Sequence, residues 1–166
     1  MSQAGTPLET AHGYSPPSVR QFAVFLDNRV GKLLELVDAF KDERTCQLCS
    51  VSVHEASDHA VVRILTSSAF AGREILRRAG YTFSEKDLLV VELTLGNSLH
   101  SLCRHLLAAE LNIQFAYPIL MKPGGAPTIA ISVDDLYLAG QVLRRKGFRL
   151  LGECDLPRPG SVDAHD

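Results

Sequence analysis

Residues 75–81 read ILRRAGY, and residues 142–148, which lie 67 positions later, read VLRRKGF. A second match supports this spacing, because four apolar residues at helix spacing recur 66 positions later. They are Leu33, Leu36, Val37 and Phe40, matched by Leu99, Leu102, Cys103 and Leu106. A period of 66–67 residues predicts two copies of one unit, each the size of a small domain.

Within the first copy, hydrophobic patterns of period two and period 3.6 follow one another in a defined order. The order is strand, helix, strand, strand, helix, strand. The strands are predicted at residues 19–27, 46–55, 59–66 and 81–84. The first helix is predicted at 32–40, and the second ends at residue 78. Ser57 and Asp58 mark a hairpin turn between the second and third strands. The second helix is expected to begin after a cap at Ser67 or Ser68 and to end before Gly80.

The second copy repeats this order. Strands are predicted at residues 88–95, 112–120 and 128–133, with a turn at 122–127. One helix carries Leu99 and its apolar partners, and another runs from 135 to 146 behind a cap at Asp134. The order βαββαβ is typical of the ferredoxin-like fold. We therefore predict an α+β protein with two tandem ferredoxin-like units and antiparallel sheets.

Composition sets the boundaries of the units and limits the class of protein. We expect a disordered arm at 1–17, units at 18–86 and 87–156, and a disordered tail at 157–166. Seventeen basic and nineteen acidic residues give a net charge of −2, which argues against a broad nucleic-acid surface. No apolar run approaches the roughly 18 residues of a membrane span, and the N-terminus lacks an apolar signal core. Four cysteines without an export signal favour a cytoplasmic protein with reduced thiols.

The turn between the first strand and the first helix is a candidate ligand site. It lies in FLDNRVGKLLELV, residues 25–37, where Gly31 allows a positive φ and leaves room for a close approach. The first amides of a helix and its dipole favour a carboxylate or phosphate. Asn28 offers an amide at the rim, and Asp27 offers an acceptor for an ammonium group. The alternative is that the glycine only makes the turn and water satisfies the amides.

The second copy has different residues at the same turn. Gly96 and Asn97 replace Val30 and Gly31. Asparagine tolerates the left-handed conformation better than other non-glycine residues, so we expect the backbone geometry to be kept. The side-chain chemistry differs, and the two turns need not bind a ligand equally.

Several stretches of the chain resemble the ACT family. FAVFLDNRVGKLLELVDAF, CQLCSVSVHEASDHAVVRIL and AGREILRRAGY are similar to one ACT domain; VVELTLGNSLHSLCRHLLAAELNIQFAYPIL and AGQVLRRKGF are similar to a second. The resemblance covers roughly residues 20–152 and extends to stand-alone proteins made of two ACT units, often described as amino-acid-binding or acetolactate-synthase-related. It implies that an amino acid binds at the turn after the first strand, where two units meet.

The resemblance also implies which residues bind. By position they are Asn28, Arg29, Val30, Gly31, Lys32 and Leu33 in the first copy, with Gly96, Asn97, Ser98, Leu99 and Asn112 in the second. The chain departs from the family pattern before the glycine, where the usual proline is Val30 in one copy and Gly96 in the other.

The function that follows is a non-catalytic sensor or regulatory subunit for a small amino-acid effector. The resemblance implies a homodimer and a biosynthetic enzyme as partner, such as acetolactate synthase. No nucleophile–base pair, phosphate loop or HExxH motif is present, so we expect no catalytic residues and no cofactor. One alternative is a scaffold that oligomerises without a small ligand, and another is an enzyme with a site between the units.

Two residue patterns could indicate a metal site and a third a nucleic-acid surface, but each has a structural explanation. Cys46 and Cys49 are three apart on a predicted strand and would point to opposite faces, so we expect buried thiols. Cys103 is expected on the core face of its helix. Polar residues at the hairpin tip are ordinary there; they are His54, Glu55, Asp58 and His59. These two patterns therefore give no reason to expect a bound metal.

Arginines at the helix ends suit the helix dipole, and the third strands lack aromatic residues for stacking bases. We therefore expect no binding of nucleic acid.

Overall fold

The structure is a computed structural model that describes residues 9–10, 13–14, 16–120 and 125–160. Its helices are α1 (Lys32–Lys41), α2 (Ala69–Arg78), α3 (Leu99–Ala108) and α4 (Leu136–Arg145). Its strands are β1 (Glu9–Thr10), β2 (Gly13–Tyr14), β3 (Val19–Asp27), β4 (Leu48–Ala56), β5 (His59–Thr66), β6 (Thr82–Glu92), β7 (Ile113–Pro118), β8 (Thr128–Val133) and β9 (Leu150–Leu151). No helix in the described residues combines the length and the apolar character that a membrane crossing needs.

The chain divides into two compact units, which confirms the predicted tandem ferredoxin-like fold. We call Arg20–Lys86 with Leu156–Asp166 the first unit, and Met1–Val19 with Asp87–Asp155 the second unit. In the first unit the strand order is β4-β5-β3-β6, and the pairs β4–β5 and β3–β5 are antiparallel. In the second unit the order is β7-β8-β6-β9, and all three pairs are antiparallel.

The core of the first unit lies between its sheet and its two helices. Alternate residues of β3 face this core, since Phe22, Val24 and Leu26 are buried while Phe25 is exposed. They pack with residues of the other elements, namely Leu36, Phe40, Cys46, Val62, Ile64, Ile75 and Leu76. Period-two burial on the strands and period-3.6 burial on the helices thus meet in one apolar layer.

The apolar stripe of α1 is narrower than the sequence predicts. Leu36 and Phe40 are buried, but Leu33 and Val37 remain 40% and 37% exposed. The corresponding helix of the second unit behaves in the same way, because Leu102 and Leu106 are buried, and the predicted core residue Cys103 is exposed. Periodicity locates the centre of a buried helix face, whereas the edges depend on how closely the sheet approaches.

Three helices are capped by side chains. Ser68 Oγ accepts from the amide of Ala71, and Ser98 Oγ accepts from the amide of Ser101. In α4 the cap is Asp135, whose Oδ1 accepts from Leu138, and not the predicted Asp134. Asp134 Oδ1 instead accepts from the amides of Asn112 and Asp135, so its carboxylate fixes the chain before the helix.

Residues 82–92 form one strand where the sequence predicts two, at 81–84 and 88–95. The polar stretch at 85–87 does not interrupt β6, because neither glycine nor proline occurs there and Glu85 is paired. Glu85 Oε1 lies 2.6 Å from Arg73 Nη2 and 3.6 Å from Arg20 Nη1. The hydrogen bond and charge of Arg73 keep the pKa of Glu85 below its usual range despite partial burial. The strand ends at Glu92, before the predicted limit.

The two predicted disordered segments are described in part. In the segment 1–17, Glu9–Thr10 pairs antiparallel with Gly13–Tyr14, while residues 1–8, 11–12 and 15 lie outside the described residues. In the segment 157–166, the carbonyl of Pro157 accepts from Cys49 Sγ at 3.5 Å, and residues 161–166 lie outside the described residues. The predicted turn at 122–127 is likewise described only from residue 125 onward.

Candidate functional site

The turn between β3 and α1 is built by backbone bonds around a left-handed glycine. Gly31 caps α1 with φ 89° and ψ −12°, a conformation that glycine adopts without steric cost. The amide of Arg29 donates to Asp27 O at 2.8 Å, and the amide of Lys32 donates to Arg29 O at 3.3 Å. Gly31 O accepts the first helical bond, from the amide of Glu35 at 3.0 Å.

This turn leaves amide donors open. Gly31 supplies no side-chain cap, and the amides of Val30, Gly31, Leu33 and Leu34 find no acceptor among the described residues. A Cβ placed on Gly31 would meet nothing within 4 Å, so the space beside this residue is open. Of the four described helices, α1 alone lacks a side-chain cap. The turn before α1 therefore has backbone amides without acceptors among the described residues, and whether they bind a ligand stays a prediction.

Two side chains beside the turn already have partners. Asn28 Nδ2 donates to Glu55 Oε1 at 2.9 Å and to Ser57 O at 3.1 Å, which ties the turn to the β4–β5 hairpin. Asp27 Oδ2 accepts from Arg29 Nη2 at 2.8 Å. The Asn28 amide nitrogen thus stabilises the fold. Asn28 Oδ1 and the second carboxylate oxygen of Asp27 have no partner within the described part of the chain.

Two residues that were not predicted for the site, Glu35 and Tyr81, lie near the predicted residue Lys32. Lys32 Nζ lies 2.8 Å from Glu35 Oε2, and this hydrogen bond raises the pKa of Lys32. Burial raises the pKa of Tyr81, and the charge of Glu35 adds to the effect, so the phenol lies near this pair. Glu35 follows Lys32 at helix spacing, which is a signal the sequence offers; nothing in the sequence alone links Tyr81 to the turn.

The equivalent turn of the second unit has a different structure. The sequence predicts that Asn97 has the same backbone conformation as Gly31, but the φ of Asn97 is not positive. Among the described non-glycine residues only Ser57 and Glu110 have a positive φ. The helix begins one position later relative to the repeat, with Ser98 as its cap. Asn97 Nδ2 donates to Gly147 O at 2.8 Å. The other two residues predicted to bind at this turn are Gly96 and Leu99, and Leu99 is 47% exposed.

Asn112 lies away from the turn of its own unit. Residue 92 at the turn end of β6 pairs with Thr128 at the start of β8. Ile113, which follows Asn112, pairs with Val133 at the other end of β8. The amide of Asn112 donates to Asp134 Oδ1 at 3.1 Å. Within the second unit, therefore, the structure does not bring Asn112 together with residues 96–99.

The candidate metal ligands are not gathered into a site. No group of three or more His, Cys, Asp or Glu within the described residues is placed to hold a metal ion. Cys46 and Cys49 are both buried, and their thiols donate to Ser68 O and to Pro157 O. Burial raises the pKa of the Cys49 thiol to about 12, with a smaller contribution from Cys46. A thiol with this pKa is protonated and unreactive near neutral pH.

Thiol alkylation tests this placement. In the native protein at pH 8, we expect iodoacetamide to modify Cys103 and Cys154, which are exposed, and to spare Cys46 and Cys49. In guanidinium chloride all four should react. Peptide mass spectrometry assigns the sites, and a Cys103→Ser/Cys154→Ser variant should stay unlabelled in the native state. Rapid native labelling of Cys49 would contradict the buried environment described above.

A family model described as an ACT domain pair matches residues 17–155. The chain belongs to this ACT domain pair family. The resemblance noted in the sequence is thereby confirmed, and since ACT domains are regulatory modules, the family indicates a regulatory, amino-acid-sensing role. No curated protein matches the chain significantly in sequence.

Solved structures share the fold of this ACT domain pair. Protein BT0572 from Bacteroides thetaiotaomicron is 20% identical with a TM-score of 0.73, and the match covers 84% of this chain and 96% of that one. The ligand-free regulatory subunit of aspartate kinase from Thermus thermophilus is 9% identical with a TM-score of 0.52, covering 80% and 95%. At these identities the likeness concerns the fold.

Proposed function

We propose that this ACT domain pair is a non-catalytic sensor that binds a small amino acid at the turn before α1. The observation that carries the proposal is the uncapped N-terminus of α1, whose amides at Leu33 and Leu34 have no acceptor among the described residues. Unpaired amides and the helix dipole together favour a carboxylate. Asn28 Oδ1 or the free oxygen of Asp27 accepts from the ammonium group of the same ligand.

Regulation follows if the ligand prefers one conformation or assembly of the chain over another, because a ligand shifts an equilibrium only by its differential affinity. We propose a homodimer as the responding species and a biosynthetic enzyme as the regulated partner. Acetolactate synthase is the partner suggested by the resemblance to stand-alone ACT proteins. The aspartate kinase subunit is a regulatory subunit in its own enzyme, which is compatible with such a role here.

A second candidate function is a scaffold that oligomerises without a ligand. The outer surface of α1 supports it, because Leu33, Leu34 and Val37 are 40%, 62% and 37% exposed. Apolar side chains grouped on one helix are typical of contact surfaces between proteins. The two functions differ in whether a free amino acid stabilises the protein.

A thermal-shift screen with each of the twenty amino acids separates the two functions. At a concentration of 100 times Kd, a ligand of the native state adds about 2.7 kcal/mol to the free energy of unfolding. For a chain of this size the gain corresponds to roughly 5–11 °C in Tm. We expect one amino acid, or a few of similar shape, to give such a shift. No shift with any of them at millimolar concentration would contradict the sensor and favour the scaffold.

A further inference from the structure

A cavity of about 290 Å³ lies in the first unit, at the end of α1 opposite to the turn at Gly31. Its apolar walls come from α1, the start of β4 and the C-terminal segment of the same unit. They are Val37 and Phe40, Leu48, and Pro159, in that order. Because α1 has ten residues, about 15 Å separate the cavity from the turn. The volume is near the lower limit of small-molecule sites, roughly 300 Å³, and therefore suits a small ligand.

Hydrogen bonds hold two sides of the cavity in place. Gln47 lines it, and the amide of Gln47 donates to Ser67 Oγ at 2.9 Å while its carbonyl accepts from the amide of Ser67 at 2.9 Å. On the side of Pro159, the carbonyl of Pro157 accepts from Cys49 Sγ at 3.5 Å, which ties this segment to β4. The cavity is thus shaped by the fold without a ligand, as small-molecule sites usually are.

The charges around the cavity leave one cation without a partner. Among the described residues that line it are one carboxylate, Glu43, and one ammonium group, Lys41. Glu43 is neutralised by its ion pair with Arg78. Lys41 has no carboxylate partner among the described residues. The cavity therefore combines apolar walls with an excess of positive charge, and this combination favours an anion that carries an apolar group.

The second unit indicates that the fold does not require this ammonium group. Phe40 and Leu106 are repeat equivalents and both are buried, so the two helices keep the same register here. In that register Lys41 corresponds to Leu107, which is exposed. The helix dipole favours a cation in the last turn, yet α3 forms with leucine at this position. Lys41 is therefore available to a ligand.

We propose that this cavity binds a small carboxylic acid that carries a branched or aromatic apolar group and no ammonium group. The apolar group packs between Phe40, Leu48 and Pro159, and the carboxylate pairs with Lys41. A free amino acid is disfavoured, because its ammonium group meets an excess of positive charge and the nearby carboxylate, Glu43, already has a partner. The inference goes beyond the proposed sensor function and does not depend on it.

Nuclear magnetic resonance titration with isocaproate, α-ketoisocaproate and hydrocinnamate tests the site. At millimolar concentration, at least one of these acids should shift the backbone amide signals of residues 40–48 in a saturable way and leave those of residues 28–34 in place. Leucine carries the apolar group of isocaproate together with an ammonium group, so it should bind the cavity more weakly by about tenfold or more. No saturable shift at 40–48, shifts confined to 28–34, or equal binding of leucine at 40–48 would overturn the proposal.

Lys41→Met tests the carboxylate contact, because it keeps the length of the side chain and removes its charge. We expect the Kd of the tightest of the three acids to rise by about three- to tenfold. Lys146 follows α4 in the second unit and is exposed, so Lys146→Met is a matched control that should leave this Kd unchanged. An equal Kd for Lys41→Met and the wild type would overturn the pairing with Lys41.

Val37→Phe tests the cavity itself. Val37 is partly exposed, so a larger side chain there narrows the cavity without entering the core, and the ligand-induced shifts at 40–48 should be lost. Circular dichroism checks that the variant is folded, and undiminished shifts in the folded variant would overturn the site. Gly31→Val should bind the acid as the wild type does, which keeps this result separate from the test of the sensor function. Loss of acid binding in Gly31→Val would place the acid at the turn and overturn the proposal.

Discussion

Gly31→Val is expected to abolish amino-acid binding, so that the shift of roughly 5–11 °C in the wild type falls to zero. Two physical effects act together. A φ of 89° is strongly unfavourable for a β-branched residue and costs on the order of 1–3 kcal/mol, so we expect the backbone to rotate and the amides of the turn to change position. In addition, the new side chain occupies the open space beside residue 31. The measurement is a thermal-shift titration with the amino acid that stabilises the wild type most.

A strain-matched variant separates loss of the site from loss of stability. Gly125 also has a positive φ, 81°, and a Cβ there would meet nothing within 4 Å. Gly125→Val should lower Tm through similar backbone strain and leave the ligand-induced shift intact. Circular dichroism checks that both variants remain folded. Undiminished binding by Gly31→Val would show that the ligand binds somewhere other than this turn.

The fold could be predicted from the sequence because burial follows its repeats. The equivalent pairs Leu36 and Leu102, and Phe40 and Leu106, are buried in both units, as the common helix spacing requires. The sequence predicts two strands, at 81–84 and 88–95, and the break between them is wrong because Glu85 is accommodated on a continuous strand by Arg73. Polarity alone does not end a strand when its charges have partners.

The candidate site could be predicted only in its local part. Gly31 lies where strand and helix patterns meet, and its left-handed conformation is one that glycine allows at such a turn, whereas Asn97 at the equivalent position does not adopt it. Contacts distant in sequence had no such signal. Asn28 bonds to Glu55 across 27 residues, and Asn97 bonds to Gly147 across 50. Such bonds depend on how side chains meet after folding, and a single sequence contains no pattern that specifies them.

Gly72→Val is expected to lower the free energy of unfolding by about 3 kcal/mol or more. Gly72 is buried in α2, where a Cβ would lie 2.7 Å from Thr66 Oγ1 and 3.1 Å from Phe22 Cε2. Neither neighbour can move easily, because Phe22 is fully buried and Thr66 Oγ1 donates to Ser68 O. At roughly 2–4 °C per kcal/mol, Tm should fall by several degrees or more. Urea denaturation followed by circular dichroism measures the change.

The smaller variant Gly72→Ala shows whether Thr66 is the obstacle. In a helix, alanine is favoured over glycine by up to about 1 kcal/mol. The sign of the change in the free energy of unfolding therefore shows whether this gain in helix propensity exceeds the steric cost of the new Cβ. The repeat equivalent in α4 is Ala139, which is fully buried, so a methyl group fits at that position of the second unit. In the wild-type background Gly72→Ala should destabilise by about 1–3 kcal/mol, and in a Thr66→Ala background it should cost much less. Equal costs in both backgrounds would show that the close approach of α2 to β5 does not explain the glycine.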